Sequence, residues 1–251
     1  MAKKKPTKIA LTASELRETE ALVALFSRNE ERLGIIMNTL LTHLAGSSEL
    51  QKNVHSMKWR LKDASHLKDK LLRKRLEMKA LGAKFEITEE NLFTKINDLI
   101  GFRILHLYTE QIRGIDASLK KIFEEAPYKL IEGPIAKTWD DESRDFFTTN
   151  GIETEVSHLY TSVHYVIETS SRTPFTCEIQ VRTLMEEVWG EVDHKINYPH
   201  KTRHLPCREQ LAALARVTSG CTRLVDSIFR SYDDLELQAL KSRNAIAKLK
   251  R

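Results

Sequence analysis

The segment Val156 to Tyr198, VSHLYTSVHYVIETSSRTPFTCEIQVRTLMEEVWGEVDHKINY, constrains the fold more than any other part of the chain. Apolar/polar alternation has a period of two, and only an extended strand turns that period into two distinct faces. Leu159, Thr161, Val163, Tyr165 and Ile167 fall on one face, with Tyr160, Ser162 and His164 on the other. After a Ser-Ser-Arg-Thr-Pro turn, a second alternation sets Phe175, Cys177, Ile179 and Val181 against Thr176, Glu178, Gln180 and Arg182. Paired as a hairpin with its apolar faces on a core, the two strands project both polar sets into one space. An aromatic ring, an imidazole, a carboxylate, an amide and a guanidinium gathered there suit a nucleotide better than bulk solvent. A helical pattern follows from Leu184 to Lys195 and stops before Pro199.

The remaining elements wrap this hairpin. Thr12-Ala13-Ser14-Glu15 is a capping box, and apolar residues from Leu22 to Leu41 recur at helical spacing until Gly46-Ser47-Ser48. Thr94 to Tyr108 reads as a helix end running into a strand, with Asp98 just before the strand and Arg103 on it. An acid there is usually a turn residue, but two converging carboxylates are what a magnesium-phosphate site needs, and Glu178 is the candidate partner. A helix is expected at Gln111 to Glu125 and a short strand at Tyr128 to Ile131. The polar run at 132–155 reads as an irregular insertion or lid, with Asp140, Asp141 and Glu142 able to bind a metal but read first as solvated loop acids. From Arg208 to about Leu249 the pattern is helical again. One α/β core with helices from both ends of the chain is the expected architecture, divided as 1–50, 51–200 and 201–251.

Charge narrows the choice of ligand. The 40 basic residues outnumber the 35 acidic ones by five, with the excess in Lys3 to Lys5, in Lys58 to Lys84 and in the C-terminal KSRNAIAKLKR. Within HSMKWRLKDASHLKDKLLRKRLEMKALG, Ser65 is placed to cap a helix that turns Leu67, Leu71 and Leu72 inward. Lys68, Lys70, Arg73, Lys74 and Arg75 are expected to crowd its exposed side, and one-sided crowding costs repulsion unless an anion relieves it. A polyphosphate or RNA fits that charge. Three cysteines lack metal-ligand or redox spacing, and no run of about twenty apolar residues or signal-peptide pattern occurs, so the expectation is a cytoplasmic protein with reduced thiols.

Several of these motifs coincide in a known order. DLIGFRI (98–104), LYTSVHY (159–165), EIQVRT (178–183) and WGEVDHKINY (189–198), with Arg60, Lys62 and Ser65 upstream, resemble the synthetase domain of the RelA/SpoT family. The resemblance spans roughly Lys58 to Tyr198. It implies a mixed sheet of the polymerase-β nucleotidyltransferase type and transfer of the β,γ-pyrophosphate of ATP to the 3′-hydroxyl of GDP or GTP. No His-Asp dipeptide marks a hydrolase domain, so the likeness is to a small, synthetase-only member.

Carried over residue by residue, the resemblance makes Asp98 the Mg²⁺ ligand and Glu178 the catalytic glutamate, also close to the metal. Arg60 and Arg103 would sandwich adenine, where a flat guanidinium stacks as lysine cannot. Lys62, Ser65, Lys70 and Arg73 would hold the ATP phosphates. Tyr160 would stack on the acceptor base, with His164, Gln180 and Arg182 lining the acceptor pocket. Arg182 could equally pair with an acid on the following helix; His194 and Trp189 read as packing residues. Where many members have Gly-Tyr-Arg-Ser, this chain has Leu159-Tyr160-Thr161-Ser162, which keeps tRNA or an adenine nucleotide open as alternative acceptors. A homo-oligomer, an antitoxin partner and, in another class, an inactive nucleotide- or RNA-binding module are also compatible with the sequence.

Overall fold

The computed structural model describes residues 10–198 and 201–249, with side chains to 243; Lys3 to Lys5, Pro199 and the side chains of the C-terminal basic run from Asn244 onward lie outside the described residues. Helices α1 (Ala13–Arg28), α2 (Glu30–Gly46) and α3 (Ser48–Gln51) lead into β1 (Ser56–Leu61) and α4 (Ala64–Ala80). Then come α5 (Leu92–Lys95), β2 (Ile100–His106), α6 (Gln111–Glu125), β3 (Tyr128–Thr138), α7 (Asp141–Thr149) and β4 (Glu153–Val156). The chain continues through β5 (Ser162–Thr169), β6 (Thr176–Thr183), α8 (Leu184–Asn197) and α9 (Leu205–Leu249). The six strands form one mixed sheet in the order β1-β2-β6-β5-β3-β4, parallel at β2/β6 and β3/β4.

The expected alternation sorts the sheet into two faces. Ile100, Phe102 and Ile104 of β2, Cys177, Ile179 and Val181 of β6, and Val163, Tyr165 and Ile167 of β5 are all buried on one side. Against them lie Ile112, Ile115 and Leu119 of α6 and Leu33, Leu40 and Leu44 of α2, in one continuous cluster that also takes in Leu22 and Phe26 of α1. Each such side chain contributes about 1.5–3 kcal/mol by leaving water. The opposite face carries the polar residues and is crossed by α8, with α9 packed behind it. None of the described helices is long and apolar enough to cross a membrane. Cys177, Cys207 and Cys221 are free thiols.

Several local expectations are corrected. Residues 132–155 are not an irregular lid: β3, α7 and β4 occupy them and complete the sheet edge. Register shifts on either side of Glu132 interrupt the alternation and hid the longer strand. Gly133 has φ +95°, and a Cβ there would lie 2.2 Å from the His164 carbonyl oxygen, so only glycine fits. Asp140 is no loop acid but the buried N-cap of α7, accepting from the N–H groups of Glu142 and Ser143 and from Ser219 Oγ of α9 at 2.7 Å.

The first helical run breaks into two at Asn29, whose side chain bonds Leu25 O instead of continuing the helix. Ser65 does not cap α4; Asp63 does, and Ser65 Oγ donates to it at 2.5 Å. Arg75 is buried, not exposed, with its guanidinium 4.0 Å over the Phe85 ring and paired to Glu18 at 3.0 Å. Acids of α1 also meet Lys68 (Glu20, 2.5 Å) and Lys79 (Glu15, 2.8 Å), so part of the basic crowding is relieved within the chain by a neighbouring helix. The first hairpin strand starts at Ser162; Leu159 has φ +63°, which turns the backbone before the strand begins.

Candidate active site

Strand register builds the polar face in rows. Lys58 of β1, Arg103 of β2, Gln180 of β6 and His164 of β5 are successive neighbours across the sheet. The adjacent row runs Arg60, Gly101, Glu178. Gly101 puts no side chain between the arginine and the glutamate, and a cavity of about 350 Å³ opens above it. Its walls include Arg60, Asp98, Arg103, Glu178 and Gln180, with Glu191 and His194 reaching in from α8. This volume lies in the range of small-ligand sites.

The two acids expected to converge do so on this cavity. Asp98 accepts from Lys62 Nζ and Lys70 Nζ, both at 2.7 Å. Burial pushes its carboxyl up, but the two ammonium groups outweigh burial and hold it below the ordinary aspartate value. Glu178 accepts from Gln180 Nε2 at 3.1 Å and lies 3.2 Å from His164 Nδ1. There too burial raises the carboxyl and the neighbours, His164 first, bring it below the usual range, while the charge of Asp98 opposes them. His164 is buried, and its Nε2 has no protein partner among the described residues, a polar atom left over for a ligand.

No group of three or more His, Cys, Asp or Glu side chains forms a metal cage among the described residues. Magnesium, however, uses one or two carboxylates and takes its other ligands from water and phosphate. Two ionised carboxylates on one cavity, with ammonium groups beside them to meet phosphate charge, fit that donor set.

The remaining sequence-predicted residues divide. Arg60 lies at the cavity mouth on exposed β1, and Lys62, which burial shifts below the ordinary lysine value, lies beneath Asp98. Arg73 sits 5.9 Å over the ring of Tyr198. Ser65 is occupied by Asp63, as described. Arg103 pairs with Glu187 at 3.3 Å and with Glu191. Tyr160 is half-buried in the turn before β5, its ring 6.4 Å from His164 and stacked at 6.3 Å on Trp189. Burial raises its hydroxyl above the ordinary tyrosine value. Arg182 is not brought into the cavity: it is buried against α8, 2.5 Å from Glu187, and Gly190 leaves the room its guanidinium fills. The pairing with an acid on the following helix is therefore formed.

Two acids of α8 were missed, and His194, expected only as a packing residue, also lines the cavity. Buried Glu187 gathers Lys58 at 2.8 Å, Arg103 and Arg182 around one carboxylate. Glu191 and His194 line the cavity, and His194 stacks on Tyr198 at 4.5 Å. Burial, then Arg60 and Arg103, lower the imidazole below its ordinary value. The spacing 187, 191, 194 is i, i+4, i+7, one helix face, and that signal was present in the sequence. Trp189 is core, its indole N–H donating to Leu211 O at 3.0 Å.

Comparison with known proteins follows this geometry. The sequence profile described as "Region found in RelA / SpoT proteins" matches residues 59–203, more than half of the chain. A search of curated protein sequences finds no match. Among solved structures, small alarmone synthetase 1 from Bacillus subtilis superposes with a TM-score of 0.54 at 15% identity, covering 86% of this chain and 97% of that one. The same synthetase bound to its product pppGpp gives 0.54 at 16%, covering 84% and 96%. A GTP pyrophosphokinase family protein from Streptococcus pneumoniae gives 0.53 at 18%, covering 82% and 93%. At these identities the likeness shows a shared fold.

Proposed function

The chain belongs to the family that shares the RelA/SpoT region, and from that premise we propose that it is a synthetase transferring the β,γ-pyrophosphate of ATP to the 3′-hydroxyl of GDP or GTP. The observation that carries this reading is the convergence of Asp98 and Glu178, from separate elements, on one cavity flanked by lysines and arginines. The Bacillus subtilis structures named for pppGpp and AMPCPP support nucleotides as the ligands of such a fold. The synthetase unit is residues 51–200, with helical extensions before and after it.

In this scheme Arg60 and Arg103 flank the adenine, and Lys62, Lys70 and Arg73 take up the phosphates. The incoming triphosphate competes with Asp98 for the two lysine ammonium groups, which frees the carboxylate. Asp98, with Glu178 nearby, would hold Mg²⁺ together with phosphate oxygens, and the ion supplies neutralisation of the charge that develops on them. Glu178 accepts the hydrogen bond of the acceptor 3′-hydroxyl and orients it. Its lowered carboxyl keeps it ionised, so it takes the proton late, as the oxygen bonds to the β-phosphorus. The bond between that phosphorus and the α,β-bridging oxygen breaks, and AMP leaves. Tyr160 stacks on the acceptor base, with His164 and Gln180 beside it.

A second acceptor class is kept by one observation: Thr161 stands where many members carry arginine, so the acceptor loop lacks that charge. Labelled ATP and Mg²⁺ offered GDP, GTP, ATP alone or deacylated tRNA distinguish the acceptors by the labelled product. A tRNA acceptor would also show steep salt dependence through counterion release. Absence of AMP release with every acceptor would favour a binding module instead. A homo-oligomer and an antitoxin partner are further proposals on the same resemblance.

A further inference from the structure

Thr183-Leu184-Met185-Glu186 has the sequence of a capping box, in which the glutamate normally returns to the backbone N–H of the cap. Only half of it forms. Thr183 Oγ1 accepts from Glu186 N at 3.3 Å, but the Glu186 carboxylate turns away and accepts from Thr161 N at 3.0 Å. Thr183 already lies in the β2/β6 ladder opposite His106. The diverted carboxylate therefore ties the first turn of α8 to the loop that carries Tyr160. Thr161 Oγ1 bonds Thr138 Oγ1 at 2.9 Å, and Tyr160 stacks on Trp189, three residues after Glu186 on the same helix.

A carboxylate only 4% exposed is costly to bury, and among the described residues this one has a single backbone donor as its hydrogen-bond partner from outside its own helix. We propose that Glu186 is a positioning residue, holding the Tyr160 loop against α8 in the geometry that receives the acceptor base. The proposal rests on the assignment of Tyr160 to the acceptor made above.

A consequence follows for pH. Burial raises the Glu186 carboxyl to about 7, against the lowering effect of the Thr161 N–H and Arg182; Asp140 adds to the rise. Glu142 of α7, Arg223 and Asp226 of α9, and His106 of β2 line the same hollow. Below about pH 7 the group is neutral and the bond to Thr161 loses its charge assistance; above it the loop is held more firmly. Folding stability has the opposite sign, because the folded state binds the extra proton between about 4.5 and 7 and loses stability as pH rises through that window.

The test compares the full chain with Glu186→Leu and Glu186→Gln, using amide hydrogen exchange of residues 157–161 and steady-state kinetics from pH 5.5 to 8.5. Glu186→Leu is expected to speed exchange at Thr161 and raise the acceptor KM about tenfold, with the ATP KM within twofold of the parent. Glu186→Gln should keep the bond but abolish the fall of acceptor KM with rising pH near 7. Unchanged exchange in Glu186→Leu overturns the proposal whatever the enzyme's activity. So do faster exchange with an unaltered acceptor KM, a parallel rise of both KM values, or a pH profile shared by Glu186→Gln and the parent. Failure of the parent to release AMP with any acceptor would instead sink the synthetase reading and leave the exchange result to decide the contact.

Discussion

The two sides of the proposed site, one around Asp98 and Arg103 and one around Tyr160, are held in different ways. On the proposed donor side, side chains are fastened by ion pairs that cross elements: Asp98, in the turn before β2, to Lys62 and Lys70, and Arg103 of β2 to Glu187 and Glu191. On the proposed acceptor side, Tyr160 lies outside the sheet, on a turn whose backbone passes through positive φ at Leu159 and is secured by neutral hydrogen bonds and one buried carboxylate. Arg103 inherits its position from the ladder, whereas Asp98 and Tyr160, both on turns, depend on what they are tied to: lysine charge for one, neutral bonds and a buried carboxylate for the other. The donor half should therefore respond to loss of charge, and the acceptor half to loss of anchoring.

The largest expected effect is common to both halves. Glu178→Gln should lower kcat roughly 10³-fold while ATP binding, measured by calorimetry, stays within a few-fold. Asp98→Asn leaves Lys62, 5% exposed at its side chain, without its counter-charge, and should cost about 3 kcal/mol in urea unfolding besides abolishing transfer. Tyr160→Ala separates the halves: loss of base stacking should raise the acceptor KM about tenfold or more and leave the ATP KM unchanged. An unchanged acceptor KM would remove Tyr160 from the site. Arg103→Lys is the mirror experiment, raising the ATP KM about tenfold, since lysine keeps the charge for Glu187 and Glu191 but loses the flat stacking surface.

The smallest effect concerns pH. The carboxyls of Asp98 and Glu178 are both lowered from 3.8 and 4.5, so each stays ionised until pH falls below those values. The stabilisation Asp98 draws from its lysines is present above about 3.8 and is lost only as pH falls through its folded value. At saturating acceptor, kcat should therefore change less than about twofold between pH 5.5 and 7 on account of these two groups. An acidic limb in kcat that disappears in Glu186→Gln would move that group from positioning into the chemical step.

Much of this site was legible because strand periodicity is a local property. Alternation in 159–167 and 175–182 was enough to put His164, Glu178 and Gln180 on one face, and the ladder pairs His164 with Gln180. The α8 contribution was harder to see. Glu187, Glu191 and His194 share a helix face, but nothing local says that this face lies over Lys58 and Arg103 rather than solvent. The 132–155 run failed for another reason, because its strand carries register shifts and a glycine bend that erase the period of two.

What the chain's own residues determined was the sidedness of each element: which strand positions are apolar, where helices start, and which charged groups can share a face. Sidedness follows from the backbone repeat and needs no partner. What only the tertiary structure decided was the pairing of those faces. Arg182 turned to Glu187 and Gly190, Arg75 went beneath α1, and Glu186 left its own cap for Thr161. Each of these choices is made by burial, which excludes water as the alternative partner and makes the nearest complementary group, however distant in sequence, the one that decides.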